Sequence, residues 1–293
     1  MSSNFDSFFY LLFCFTNVLL YTLFKFFAKS FGVSPQHIAS YMNIGVFLCY
    51  NLFFVKKIWK EKMYFSFWKA GNLILSFSVL SAVTKLYAIK YIEPRDAFVI
   101  SYSTPLVVML FANVFLKEQM IWRYWICGGL SLIGIYIYIN AKFHLNNIYY
   151  AIMLLHVLFK AVMHIGTKKG VKKGVFNVMF YENLFYSTFA LVFFHFNGGF
   201  DLHIMFSWQN LLLMITTTIS LASFTLAYKL AHRGITHLQN LDFSRLIFSF
   251  IFALTLLNDH IKFDELIGAG IILFSIILSR VNFTKKANKS LFF

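Results

Sequence analysis

Runs of about 20 apolar residues recur along the whole of this 293-residue chain, and no other feature limits its fold as tightly. A helix needs about 20 such residues to cross a hydrocarbon layer about 30 Å thick. Divided at their polar breaks, the runs predict ten helices. Those of the first half are 8–28, 37–55, 70–89, 97–116 and 122–139; those of the second are 147–166, 176–196, 208–228, 236–257 and 264–281. The runs are continuous and lack a two-residue alternation, so helices are expected in place of barrel strands. Composition agrees, at 59% hydrophobic, 20% aromatic and 13% charged, against roughly 25% charged in an ordinary soluble domain. The chain is therefore expected to be an all-α polytopic membrane protein. Its first run follows MSSNFDS, which has no basic segment and leads to no small-residue cleavage pattern, so it reads as a retained helix and not a signal peptide.

Charge sorts by side. The formal net charge of +15 would point to nucleic acid in a soluble protein, but in a membrane protein an excess of Lys and Arg marks the cytoplasmic loops. With the N-terminus inside, 17 of the 26 basic residues fall in the cytoplasmic segments, 5 on the opposite side and 4 within helices. Both termini are expected in the cytoplasm, with no nucleic-acid partner. The basic stretch KKGVKKG at 168–174 is read as a solvated loop that fixes topology and can touch anionic lipid. Cys14, Cys49 and Cys127 lie inside apolar runs without CxxC spacing, so neither a disulfide nor a metal site is implied, and no cofactor is expected.

The chain also repeats itself. At a constant offset of 141 residues, Thr84 meets Thr225, Tyr87 meets Tyr228, Ser103 meets Ser244, Ala112 meets Ala253 and Gly129 meets Gly270. The corner acid Glu118 meets Asp259 at the same offset. Matches strung at one spacing over three consecutive apolar segments argue for a duplicated unit of five helices, 8–139 and 147–281. An odd number of helices per unit makes the second unit start on the other face, so the repeats are expected to be inverted.

The run YAIKYIEPRDAFVISYSTPLVVMLFANVFLKEQMIWRYWICGGLSLIGIYI resembles the EamA domain of the drug/metabolite transporter superfamily. The shared features are a Tyr-Ala helix end, a proline in the fourth helix, an acid at the corner and glycines in the fifth helix. LTLLNDHIKFDELIGAGIILFSIIL resembles a second copy. Within the superfamily, SYSTPLVVMLFANVFLKEQMIWRYW is most similar to S-adenosylmethionine uptake carriers of intracellular bacteria. The resemblance implies a secondary transporter working by alternating access, with S-adenosylmethionine as best substrate and an amino acid or other exported metabolite as the alternative. Two departures stand out: Leu246 replaces the proline that Pro105 supplies in the first copy, and Asp242 precedes Arg245 where the uptake carriers place the base first.

Ionisable groups inside spans are expensive and mark functional sites by default. Asp242 and Arg245, three apart on the ninth predicted helix, share a face and can neutralise each other; with Gln239 and Asn240 they form the densest polar patch in any span. A structural ion pair is the competing explanation. Glu182 has no base at helical spacing, so another helix, a cation or a bound proton must meet its charge. His156, Lys160 and His164 form a stripe on the sixth helix, as Asn17, Tyr21 and Lys25 do on the first. The matching Leu-Phe-Lys motifs make Lys25 and Lys160 expected counterparts, each close enough to a helix end to snorkel. Lys85, inside the third helix, and Tyr102 and Pro105, at the proline bend, complete the expected cavity lining.

If Glu182 and Asp242 face one cavity with Arg245 and Lys160, the site carries both signs of charge and suits a zwitterionic or cationic metabolite. No GxxxxGK[ST], HExxH or paired DxxD run occurs, which removes an ATP motor and leaves no catalytic residue to nominate. The expected partners are a small-molecule substrate, the lipid bilayer and a second copy in a homodimer. The reading from another class is a membrane-embedded lipid-modifying enzyme or a lipid-translocating subunit.

Overall fold

The computed structural model describes residues 5–60, 74–89, 91, 97, 100–119, 122–139, 148–197, 200–231, 234–256 and 263–280. These residues form helices and connectors, with no strand among them. The helices are α1 (Phe5–Phe31), α2 (Pro35–Lys60), α3 (Phe77–Ile89), α4 (Thr104–Leu116), α5 (Trp122–Ile139) and α6 (Ile148–Gly170). They continue with α7 (Val175–Asn197), the single turn α8 (Leu202–Met205), α9 (Trp208–Leu230), α10 (Thr236–Asp242), α11 (Ser244–Leu256) and α12 (Phe263–Arg280).

Four of the described helices are long and apolar enough to cross a bilayer: α1, α2, α6 and α9. Of the others, α5, α7 and α12 keep about their predicted lengths, while the remaining predicted spans are shortened or divided for local reasons. A 3₁₀ turn at Ile74–Ser76 precedes α3, and part of its predicted start lies outside the described residues. In the predicted helix 97–116 the pattern is interrupted at Ser103, the N-cap of α4, with Pro105 in the first turn that follows. The predicted helix 236–257 breaks at Phe243 into α10 and α11, with no proline present. The bond from Leu106 N to Ser103 O (3.0 Å) is matched 140 residues later by that from Leu246 N to Phe243 O (3.2 Å). Each closes a tight three-residue turn, and Ser103 and Phe243 both keep right-handed helical dihedrals.

Packing pairs α1 with α9 and α3 with α6, α2 with α7, and α5 with α12. Further contacts join α4 to α6, and α10 and α11 to α1. Exchanging each helix for its counterpart in the other predicted half leaves this set of pairs unchanged. The α5–α12 contact has the same property in detail. Ser131 and Ser275 share a hydrogen bond (2.7 Å), and at the mirrored position a Cβ on Gly134 would stand 2.9 Å from both Gly268 O and the Ile272 side chain. Small residues there let two helices approach closely without needing a hydrophobic drive that lipid cannot supply.

The connectors gather at two ends. At one end Glu118 reaches 235–236, Lys168 reaches the end of α9, and Asp6 meets His237 at 2.8 Å. At the other, Asp201 N donates to Tyr41 Oη (2.6 Å), and Tyr91 stacks on Tyr149 with ring centroids 4.1 Å apart. These are the groupings that the charge count assigns to one face and to the other.

Candidate functional site

The polar centre of the bundle is built on the α10–α11 break. Asp242 ends α10 and Arg245 lies in the first turn of α11, three residues on, so they stand within one turn of each other. Arg245 Nη2 stands 2.7 Å from Asp242 Oδ1. The same oxygen accepts from Tyr10 Oη of α1 at 3.0 Å. Arg245 also lies 4.6 Å over the Phe13 ring, and its Nε is buried without a partner. A guanidinium set against both an aromatic face and a carboxylate is well placed for a dry site.

A second chain of contacts extends from this centre. Tyr10 stacks on Tyr228 of α9 at 6.2 Å. The Tyr228 hydroxyl accepts from Gln239 Nε2 at 3.0 Å and bonds closely with His164 Nδ1 of α6. Further along α6, His156 Nδ1 meets Ser81 Oγ and Ser81 O of α3, each at 2.8 Å, while its Nε2 is buried and unmatched. Between the two histidines Lys160 interacts electrostatically with Arg245, Asp242 and Lys85. Lys85 lies 5.7 Å from the Tyr21 ring, and Tyr102 interacts electrostatically with Arg245. Asn240 is 1% exposed and both its amide atoms lack a hydrogen-bond partner.

Of the expected site residues, Lys85, Tyr102, His156, Lys160, Gln239, Asp242 and Arg245 come together in this network. Tyr21 is largely exposed and Pro105 lies in the first turn of α4 without joining the polar chain. The side chain of Lys25 lies outside the described residues, as does Asp259. Two expectations need correction. Glu182 does not share the Asp242 centre. Its Oε1 accepts from Thr167 Oγ1 of α6 at 3.3 Å, and the tyrosines that feel its charge are Tyr50 and Tyr186. Lys160 is not near a helix end. Helix α6 continues through Lys168 and Lys169 to Gly170, which leaves Lys160 ten residues, roughly 15 Å, from the nearer end. Lys25 stands six residues from the end of α1, so the two lysines differ in distance from a helix end.

Sequence reasoning passed over Tyr10, the Tyr228 hydroxyl and Lys168. A tyrosine in a chain with 16 tyrosines and 39 phenylalanines carries little signal. The repeat alignment singled out Tyr228 only as a match to Tyr87. Lys168 donates to Tyr228 O and Ala231 O, both at 2.7 Å, satisfying carbonyls at the end of α9. Glu118 does the converse at α10, accepting from Ile235 N (2.8 Å), Thr236 N (3.0 Å) and Thr236 Oγ1 (2.7 Å). A cavity of about 600 Å³ opens here, lined by Glu118, Lys168, Lys172, Tyr228, Lys229 and Gly234. A smaller apolar cleft of about 350 Å³ lies between α2 and α9, away from the charged centre.

No group of three or more potential metal ligands occurs among the described residues. No curated protein matches the chain significantly. Among solved structures 28 chains match. One, described only as "Crystal structure of protein", has a TM-score of 0.70 at 12% identity and covers 94% of this chain and 95% of that one. At that identity the likeness concerns the fold alone. Helices that span a bilayer by length and composition, with charged groups held between them, make this a multi-pass membrane protein. Residues 8–140 match the sequence model of the EamA-like transporter family, which spans the first predicted repeat from end to end.

Proposed function

We propose that this chain is a secondary transporter that moves a small polar organic metabolite by alternating access between two inverted five-helix repeats. The observation that carries the reading is the Tyr10–Asp242–Arg245 triad, which joins helices of both halves around a charged centre inside the span. Packing alone has no need of a buried ion pair, since apolar residues of similar volume stabilise as well or better. Ten spans, with both termini in the cytoplasm of a bacterial inner membrane and assembly as a homodimer, belong to the same proposal. The exchange symmetry of the helix pairs and the matched breaks at Ser103 and Phe243 support the inverted repeats.

Coupling would come from the substrate gradient, from exchange, or from a proton carried by Glu182, whose carboxyl has one hydroxyl donor and no basic neighbour among the described residues. S-adenosylmethionine and amino acids are the first substrates to test. Both offer a carboxylate to the central cations. The sulfonium and amine of S-adenosylmethionine have Asp242 as their countercharge there, and Arg245 and Tyr10 already hold it.

The test is counterflow into proteoliposomes of the purified chain with labelled S-adenosylmethionine, amino acids, nucleosides and organic acids, alongside lipid headgroup turnover in the same vesicles. Saturable uptake of a metabolite without headgroup turnover is expected. Headgroup chemistry without uptake would move the protein to the lipid-modifying class.

A further inference from the structure

At the polar centre Lys160 of α6 and Arg245 of α11 interact electrostatically, and among the described residues Asp242 is the carboxylate that joins them. Asp242 is committed, with Arg245 at 2.7 Å and Tyr10 at 3.0 Å on the same oxygen. Glu182 is held elsewhere by Thr167 and does not enter the electrostatics of Lys160.

Lys160 is the cation this arrangement leaves over. It lies in the middle of α6, ten residues from the nearer helix end. Among the described residues it makes no hydrogen bond or ion pair, and its side chain keeps accessible surface although protein surrounds it. One turn earlier on the same face, His156 presents a buried Nε2 that has no partner among the described residues. Arg245 likewise keeps an unmatched Nε. An ammonium removed from water is strongly unfavourable until a countercharge reaches it.

We propose that Lys160 is the anchor for an anionic group of the transported molecule, and that the site accepts organic anions, carboxylates or phosphate esters, in preference to molecules of net positive charge. The proposal rests on the transport reading and names the substrate class for it. His156 Nε2 and the outer edge of Arg245 flank the anchor and supply further polar contacts to the same anion. An anion seated on Lys160 also neutralises the buried charge that would resist movement of α6 between the two access states.

Binding to the purified full chain in detergent separates this inference from transport itself. The probes are succinate and glucose 6-phosphate as anions, glutamine as a neutral zwitterion, and lysine and S-adenosylmethionine as cations. At least one anion should raise the unfolding temperature saturably and more than either cation, and which one does so distinguishes carboxylate from phosphate recognition. Lys160→Gln should weaken that binding about 10- to 100-fold, the range of a charge-assisted hydrogen bond, and Lys160→Arg should restore part of it. Lys160→Met, without ligand, should unfold no earlier than the parent, because no partner is orphaned. Tighter binding of a cation, no stabilisation by either anion, anion binding unchanged in folded Lys160→Gln, or early unfolding of Lys160→Met would each overturn the proposal. Anion binding that depends on Lys160, with no flux in vesicles, would keep the anchor and reject the transporter. Uptake of a cation indifferent to Lys160 would do the reverse.

Discussion

At Asp242 one carboxylate oxygen serves both Arg245 and Tyr10, so the three side chains should behave as a unit. Asp242→Asn leaves the guanidinium uncompensated among buried groups, and a loss of about 3–5 kcal/mol is expected. The double change with Arg245→Gln removes both charges and should cost less than the sum of the single changes. Chemical denaturation in mild detergent measures this, and strict additivity would mean that the pair does not interact. Tyr10→Phe removes one hydrogen bond to a charged group, worth about 1.5–3 kcal/mol, while keeping the stack on Tyr228 at 6.2 Å. It should therefore be milder than Asp242→Asn in the same assay. Tyr87 and Tyr228 show how little a residue's identity says at this scale. They align at the repeat offset, yet Tyr228 is 0% exposed and bonded to Gln239 and His164, while Tyr87 is 46% exposed.

Between elements, the α9–α10 connector is held from two sides. Lys168 bonds carbonyls at the end of α9, and Glu118 bonds the amides that open α10. Gly234 sits between them with φ of +97°, and a Cβ there would collide with the Glu118 carboxylate. Gly234→Ala should therefore lose at least about 1–2 kcal/mol from the backbone alone, together with the Glu118 contacts. Glu118→Gln keeps an acceptor and should retain more stability than Glu118→Ala, which orphans two amides. Thermal unfolding of the three variants ranks them, and an unchanged Gly234→Ala protein would show that this connector is not clamped. A second element-scale prediction concerns α5 and α12. Gly134→Leu places a side chain where Gly268 O and Ile272 already stand within 2.9 Å of a Cβ, so the two helices must separate. A marked drop in unfolding temperature is expected, with Gly129→Leu, where a Cβ meets nothing, as the tolerant control.

For the whole molecule, inverted repeats would put Glu118 and Asp259 on opposite faces. Single cysteines at 118, 168 and 259, in a chain freed of Cys14, Cys49 and Cys127, should divide under an impermeant thiol reagent in intact cells. Positions 118 and 168 should be protected and 259 labelled; labelling of 118 and 259 together would reject the inverted arrangement. Apolar run length and charge bias were enough to expect helices in a membrane, because a hydrocarbon layer demands about 20 apolar residues whatever surrounds them. The α10–α11 patch was also legible, since residues three apart on a helix must share a face. The interruption at Phe243 was not, because no proline or glycine marks it. The separation of Glu182 from Asp242 and the mid-helix position of Lys160 belong to the same kind. Sequence spacing orders residues along one helix, but it does not say how far that helix continues or which neighbour it turns toward. Here α6 runs on through two lysines to Gly170, and Thr167 of that same helix takes Glu182. The periodicity of single helices thus carried what was local, and the contacts between helices decided which polar groups meet.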